Sequence, residues 1–166
     1  ILELGAGAMA FQRYLSCSHP NIKMTSIESS EAVIEANKLC FPTTANENLV
    51  IADAYRFVDE VLEHQSKFDW IMVDLFYGKN SPFLQDTDSF VKKLQKLINK
   101  EGWLIINMLT KDIDELAKVS QLLKSHFGRN VYLFAVPEMQ NHIFLCKNDE
   151  SKNFFFPSEI EQHNLA

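Results

Sequence analysis

Three small residues, Gly5, Gly7 and Ala10, follow the apolar run Ile1–Leu4 and precede a stretch of helical period. They satisfy the pattern G-x-G-x-x-G/A. Glycine permits the sharp reversal and lets a ligand approach backbone where a Cβ would intrude, and the helix start beyond offers unpaired N–H groups. Glu28 closes the next apolar run, 23 residues after Gly5. At that distance an acid accepts the hydroxyl hydrogens of a ribose. Asp53 ends the third run, in "IADAY", and Asp74 the fourth, in "IMVDLF". Helix capping accounts for any one of these acids alone, Asp53 most readily. Four strand ends delivering the glycines, Glu28, Asp53 and Asp74 to one rim point instead to a nucleoside pocket.

That rim needs strands to carry it. Apolar runs at 1–4, 24–28, 48–52, 68–76, 102–109, 130–137 and 141–147 alternate with helical stretches at 8–16, 31–40, 54–65, 88–99 and 112–127. Ser30 is placed to cap the second helix, with Val33, Ala36 and Cys40 on its inner side, and Gly128 to stop the fifth. The near-continuous apolar strands, each followed by a helix, predict an α/β fold whose parallel sheet is covered on both faces. "AVPEMQNHIFL" joins the last two runs through a turn too short for a helix, so the final strand should run antiparallel.

With 166 residues, 46% of them apolar and 23% charged, the chain has the make-up of one globular domain. We expect that domain over residues 1–147 and a tail over 148–166, whose "FFF" needs a cover. A net charge of -6 without a basic tract argues against a nucleic-acid surface. No apolar run approaches the ~20 residues of a membrane helix, and no secretory signal is visible; the expected setting is cytoplasmic, off the membrane. Cys17, Cys40 and Cys146 are scattered without a CxxC and read as reduced core thiols, and the five histidines show no metal-ligand spacing. Trp70 and Trp103 read as core. Because the chain opens directly on a strand without methionine, we expect a strand-rich or helical segment before Ile1.

The order E-x-G-x-G, strand-end Glu, "DA" and "VDLF" resembles the class I S-adenosylmethionine-dependent methyltransferases, and within them the spermidine synthase (polyamine aminopropyltransferase) group. "IESSEAVIEANKLCF", "LVIADAYRFV" and "FDWIMVDLFYGKNSP" each resemble a segment of that group, and the likeness runs over roughly residues 1–109. It implies a Rossmann-like, mostly parallel seven-stranded sheet with an antiparallel last strand. It implies S-adenosylmethionine, or its decarboxylated form, as cofactor. By position, Gly5 and Gly7 would pack against the cofactor's amino-acid or aminopropyl arm, and Glu3 would be a further cofactor-binding residue. Glu28 would bind the ribose, with Ser29 beside the adenosine. Asp53 and the Ala54 N–H would meet the adenine. Asp74 would be the catalytic base, taking a proton from the attacking group of a small-molecule acceptor, such as an amine. Tyr77, Phe76 and Phe83 flank the loop "FYGKNSPF", where they would either wall the acceptor site or simply pack the loop.

Two departures set the chain apart. Ala8 stands where the synthases carry an acid in the glycine loop, and Tyr77 where they carry a second acid beyond the catalytic one. A polycationic acceptor loses attraction with each missing carboxylate, so methyl transfer is slightly preferred over aminopropyl transfer. An inactive cofactor-binding or scaffold domain of the same fold is the first alternative, and an NAD-binding Rossmann domain a distant second. The synthases commonly dimerise, which leaves a homodimer open for this chain.

Overall fold

The computed structural model describes residues 1–41, 48–76 and 87–149. Tyr77, the loop that holds it and the "FFF" tail lie outside the described residues. Twelve elements alternate as the apolar runs require: β1 (Leu2–Leu4), α1 (Ala10–Ser18), β2 (Thr25–Glu28), α2 (Glu31–Cys40), β3 (Leu49–Ile51) and α3 (Ala54–Glu63) form the first half. The second half is β4 (Phe68–Val73), α4 (Thr87–Leu97), β5 (Ile98–Leu109), α5 (Ile113–Phe127), β6 (Val131–Ala135) and β7 (Asn141–Lys147). The strands make one seven-stranded sheet in the order β3-β2-β1-β4-β5-β7-β6. β1 to β5 run parallel, and β7 is antiparallel to both of its neighbours, β5 and β6. The short turn after β6 returns the chain without a crossover, so β7 has to run backwards.

Leu2 and Leu4 on β1, Ile71 and Val73 on β4, and Leu104 and Ile106 on β5 are all buried. With Val58 of α3, Leu94 of α4 and Leu123 of α5 they form one cluster. Those three helices therefore cover one face of the sheet. Strand alternation turns Glu3 and Ser26 to the other face.

Local chemistry sets the helix ends. Ser30 accepts from the Val33 N–H at 3.4 Å, Asp53 from the Arg56 N–H at 3.1 Å, and Asp112 from the Asp114 N–H at 2.9 Å. α1 starts later than its apolar period suggests because Gly7 (φ 49°) and Met9 (φ 55°) are both left-handed and hold the preceding turn out of helix. α4 ends at Leu97 because Ile98 already pairs with Phe68. A bulge containing Glu101 (φ 67°) then intervenes before the register resumes at Trp70 and Trp103.

Three expectations about the interior need correction. The buried stripe of α2 is Ile34 and Asn37, with Ala36 and Cys40 exposed. Asn37 is drawn inward because its amide donates to the Gly7 carbonyl at 2.6 Å, a polar contact that apolar periodicity does not register. Of the cysteines only Cys146 is in the core, where burial pushes its thiol up; Cys17 and Cys40 are on the surface. Trp70 is 41% exposed at the amino end of β4.

Candidate active site

Successive strands lie to opposite sides of β1: β2 on one flank, β4 on the other. This is the point where strand order reverses, and the carboxyl ends of strands at such a point are where open α/β sheets bind ligands. Gly5 is the first residue past β1 and Asp74 the first past β4. The two are locked together. The Asp74 N–H donates to the Leu4 carbonyl at 2.8 Å, and the Gly5 and Ala6 N–H groups both donate to the Ile27 carbonyl at 2.9 Å. A Cβ on Gly5 would stand 2.1 Å from the Asp74 carbonyl oxygen. Two steps on, the turn opens: a Cβ on Gly7 would meet nothing within 4 Å. One glycine serves packing, and the other leaves space against the backbone for a ligand.

Glu28 ties β2 to that turn. Its Oε2 accepts from the Gly7 N–H at 3.0 Å and its Oε1 from the Ser30 N–H at 2.8 Å. Each oxygen keeps a lone pair for a further donor, as a ribose diol supplies. With Asn37 holding the Gly7 carbonyl, both polar groups of the Gly7 backbone are fixed. Ser29 is exposed beside Glu28, Asp53 caps α3, and Ala54 is buried at the start of that helix. The rim thus carries Gly5, Gly7, Glu28, Ser29 and Asp74 from β1, β2 and β4. Asp53 and Ala54 stand next along, past β3.

Glu3 does not reach the rim. It is 6% exposed, on the face of β1 opposite Leu2 and Leu4, and accepts from the Ser26 hydroxyl at 2.6 Å. Burial pushes its carboxyl up to about 7, the Ser26 hydrogen bond opposes this, and the charge of Asp74 adds to it. The folded chain therefore keeps a proton that the unfolded chain releases. The stability Glu3 contributes is complete below pH 4.5, the ordinary value, and is lost as pH rises through about 7. Glu3→Gln keeps an acceptor for Ser26 and cannot ionise. Its stability relative to the wild type is expected to rise by on the order of 2 to 3 kcal/mol between pH 5 and pH 8. Denaturant midpoints at the two pH values check this; parallel changes in both proteins would show that Glu3 ionises without cost.

Asp74 is the acid best placed for proton transfer. Partial desolvation raises its pKa, and a hydrogen bond from Asn107 lowers it. Asn107 Nδ2 donates to Asp74 Oδ1 at 2.8 Å, and Asn141 Nδ2 donates to Asn107 Oδ1 at 3.0 Å. Sequence reasoning singled out none of Asn37, Asn107 or Asn141. The available signal was a lone amide inside the apolar run "GWLIINML". A cavity of about 1010 Å³, lined by Ile1, Ile22, Lys67 and Trp70 among others, lies at the amino ends of the strands, away from every one of these groups. Polar convergence, rather than volume, marks the rim as the candidate site.

Known proteins agree with this frame. The spermine/spermidine synthase domain matches residues 13–156. Human methyltransferase-like protein 13, solved with SAH, superposes with a TM-score of 0.75 at 20% identity, over 98% of this chain and 74% of that one. A probable spermidine synthase from Corynebacterium glutamicum gives 0.72 at 20% identity, over 95% of this chain and 57% of that one. Spermidine synthase from Thermotoga maritima gives 0.69 at 19%, over 89% and 53%. The chain thus spans little more than half the length of those two synthases, and at these identities the likeness is one of fold. No curated protein sequence matches. The sheet order, the glycine turn with its strand-end acids, and a domain match over most of the sequence converge: the chain belongs to the spermine/spermidine synthase domain family, on a Rossmann-like methyltransferase fold.

Proposed function

We propose that this domain is a transferase that binds S-adenosylmethionine, or its decarboxylated form, across the Gly5–Gly7 turn and Glu28, with Asp74 accepting a proton from a small-molecule acceptor. One observation carries the reading: an open backbone at Gly7, tied to Glu28, and Asp74 both follow strands at the point where strand order reverses. That a fold relative was solved with SAH supports the cofactor class.

The bound cofactor supplies a sulfonium-activated carbon. The rest falls to the chain. Glu28, held by two backbone N–H groups, accepts from the ribose hydroxyls without having to reorganise. Asp53, whose Oδ1 accepts the Arg56 N–H, meets the adenine amine, with the Ala54 N–H beside the ring. Asp74 takes the acceptor's proton, because a protonated nucleophile has no lone pair for displacement. Holding nucleophile and carbon in line supplies most of the rate. Ala8 is exposed on the turn and offers no charge, which favours a methyl group over transfer to a polyamine.

Calorimetric titration with S-adenosylmethionine, its decarboxylated form and NAD tests the proposal, beside a Glu28→Ala variant. We expect one of the sulfonium compounds to bind, and the variant to bind it about 100-fold more weakly, as fits the loss of charge-assisted hydrogen bonds. Preference for NAD, or equal affinity in the variant, would overturn the assignment. Binding of none would leave the scaffold reading.

A further inference from the structure

Strand register brings Asp74, Asn107 and Asn141 to one face of the sheet. Val73 pairs with Ile106 in the parallel β4–β5 ladder, so the next residues, Asp74 and Asn107, project side by side. Asn107 pairs with Ile143 across the antiparallel β5–β7 ladder. Asn141, two residues from Ile143, is therefore its diagonal neighbour on the same face. The two hydrogen bonds, 2.8 Å from Asn107 to Asp74 and 3.0 Å from Asn141 to Asn107, form a chain of amides that all donate toward the carboxylate.

We propose that Asn107, locked in orientation by Asn141, is a positioning residue for Asp74: it caps Oδ1 and leaves Oδ2 to receive the proton. This rests on the reading of Asp74 as proton acceptor. The orientation has no good alternative. A reversed Asn107 amide would set its oxygen against Oδ1 of the carboxylate and its NH2 against that of Asn141, losing both bonds. Among the described residues no other donor sits on the Asp74 carboxylate, and Asn107 is the one that fixes its rotation there. Aligned amides also favour the ionised acid, which opposes the desolvation that raises Asp74. Among the described residues, the titratable group that feels the Asp74 charge is Glu3 on β1; beside Asp74, β5 and β7 present the Asn107 and Asn141 amides. The arrangement keeps an acid in a partly dry rim ready to accept a proton, with one oxygen committed and one available.

The test reads Asp74 itself, in the free protein. Carboxyl carbon NMR on protein labelled at aspartate, with Asp74 assigned through Asp74→Asn, gives its titration midpoint. Asn107→Leu is expected to move the midpoint up by about one pH unit. Asn141→Ala should move it in the same direction by less. The double variant should match Asn107→Leu alone, because Asn141 acts through Asn107. An unchanged midpoint in a folded Asn107→Leu, or additive effects, overturns the proposal. If Asn107→Leu does not fold, Asn141→Ala carries the test, and no shift there is equally fatal. No cofactor is needed for these readings. A chain that fails to bind S-adenosylmethionine while the midpoint shifts defeats the transferase reading alone; a chain that binds it with an unmoved midpoint defeats only the positioning role. In a transfer assay, the acid limb of kcat/KM should move up with the midpoint, at unchanged cofactor affinity.

Discussion

Gly5→Ala is expected to be the most destabilising single change in the described core of the site. At φ 91° an L side chain is strained, and its Cβ would stand 2.1 Å from the carbonyl oxygen and 2.8 Å from the carbonyl carbon of Asp74. Both clashes are with backbone, so no rotamer relieves them. One strand end would have to move. Yet β1 is hydrogen-bonded to β2 and β4, and β4 to β1 and β5. Strain and overpacking together cost about 3 to 5 kcal/mol, which lowers the melting temperature by roughly 10 °C in a domain of this size. Gly7→Ala is the informative partner. Its φ of 49° is also left-handed, but its Cβ would meet nothing, so its stability cost should be only about 1 to 2 kcal/mol while it obstructs ligand approach. Thermal unfolding followed by circular dichroism separates the two. A Gly5→Ala protein that melts with the wild type would show that the β1 and β4 ends are not braced against each other.

Asp74→Asn should leave the fold and the cofactor site intact and remove turnover. Asparagine keeps an oxygen to accept from Asn107, so the geometry at Oδ1 survives. What disappears is the capacity to take a proton. A positioned general base contributes about 10²- to 10⁴-fold, and single-turnover transfer to an amine acceptor should fall by that range with cofactor affinity unchanged. The wild-type rate should decline as pH falls through the Asp74 pKa. Because desolvation raises that pKa above its ordinary value of 3.8, the decline begins at higher pH than an exposed aspartate would give. A full-rate Asp74→Asn protein would move the base elsewhere.

Much of this is legible in the amino-acid sequence alone. Ser30 and Gly128 announce helix ends because caps act on neighbouring backbone, within reach of local sequence. The antiparallel last strand follows from a connection too short to cross over. The rim acids declare themselves because each stands at the end of an apolar run. Other features were not legible, for a common reason. Asn37 reaches Gly7 across 30 residues, Asn107 reaches Asp74 across 33, and Asn141 reaches Asn107 across 34. Such contacts depend on which strand lies beside which, information that periodicity does not hold. Glu3 illustrates the converse. Its place in the E-x-G-x-G pattern suggested a ligand contact, but both faces of β1 are covered and Glu3 is buried against Ser26. The bulge between Ile98 and Trp103 escaped because "INKEGW" reads equally well as the frayed end of a helix.

The insertion of β7 between β5 and β6 has a consequence for how the molecule is made. β7 follows every other strand among the described residues, yet it is an inner member of the sheet with ladders on both sides. During synthesis β1 to β5 can pair as they emerge, while β5 keeps a bare edge until Asn141–Lys147 has cleared the ribosome. An exposed parallel edge is an invitation to another chain. Asn141 arrives with that same strand. Closing the vulnerable edge and setting the last amide behind Asp74 are thus one event, and a nascent chain that has not yet finished its sheet has not yet finished its acid.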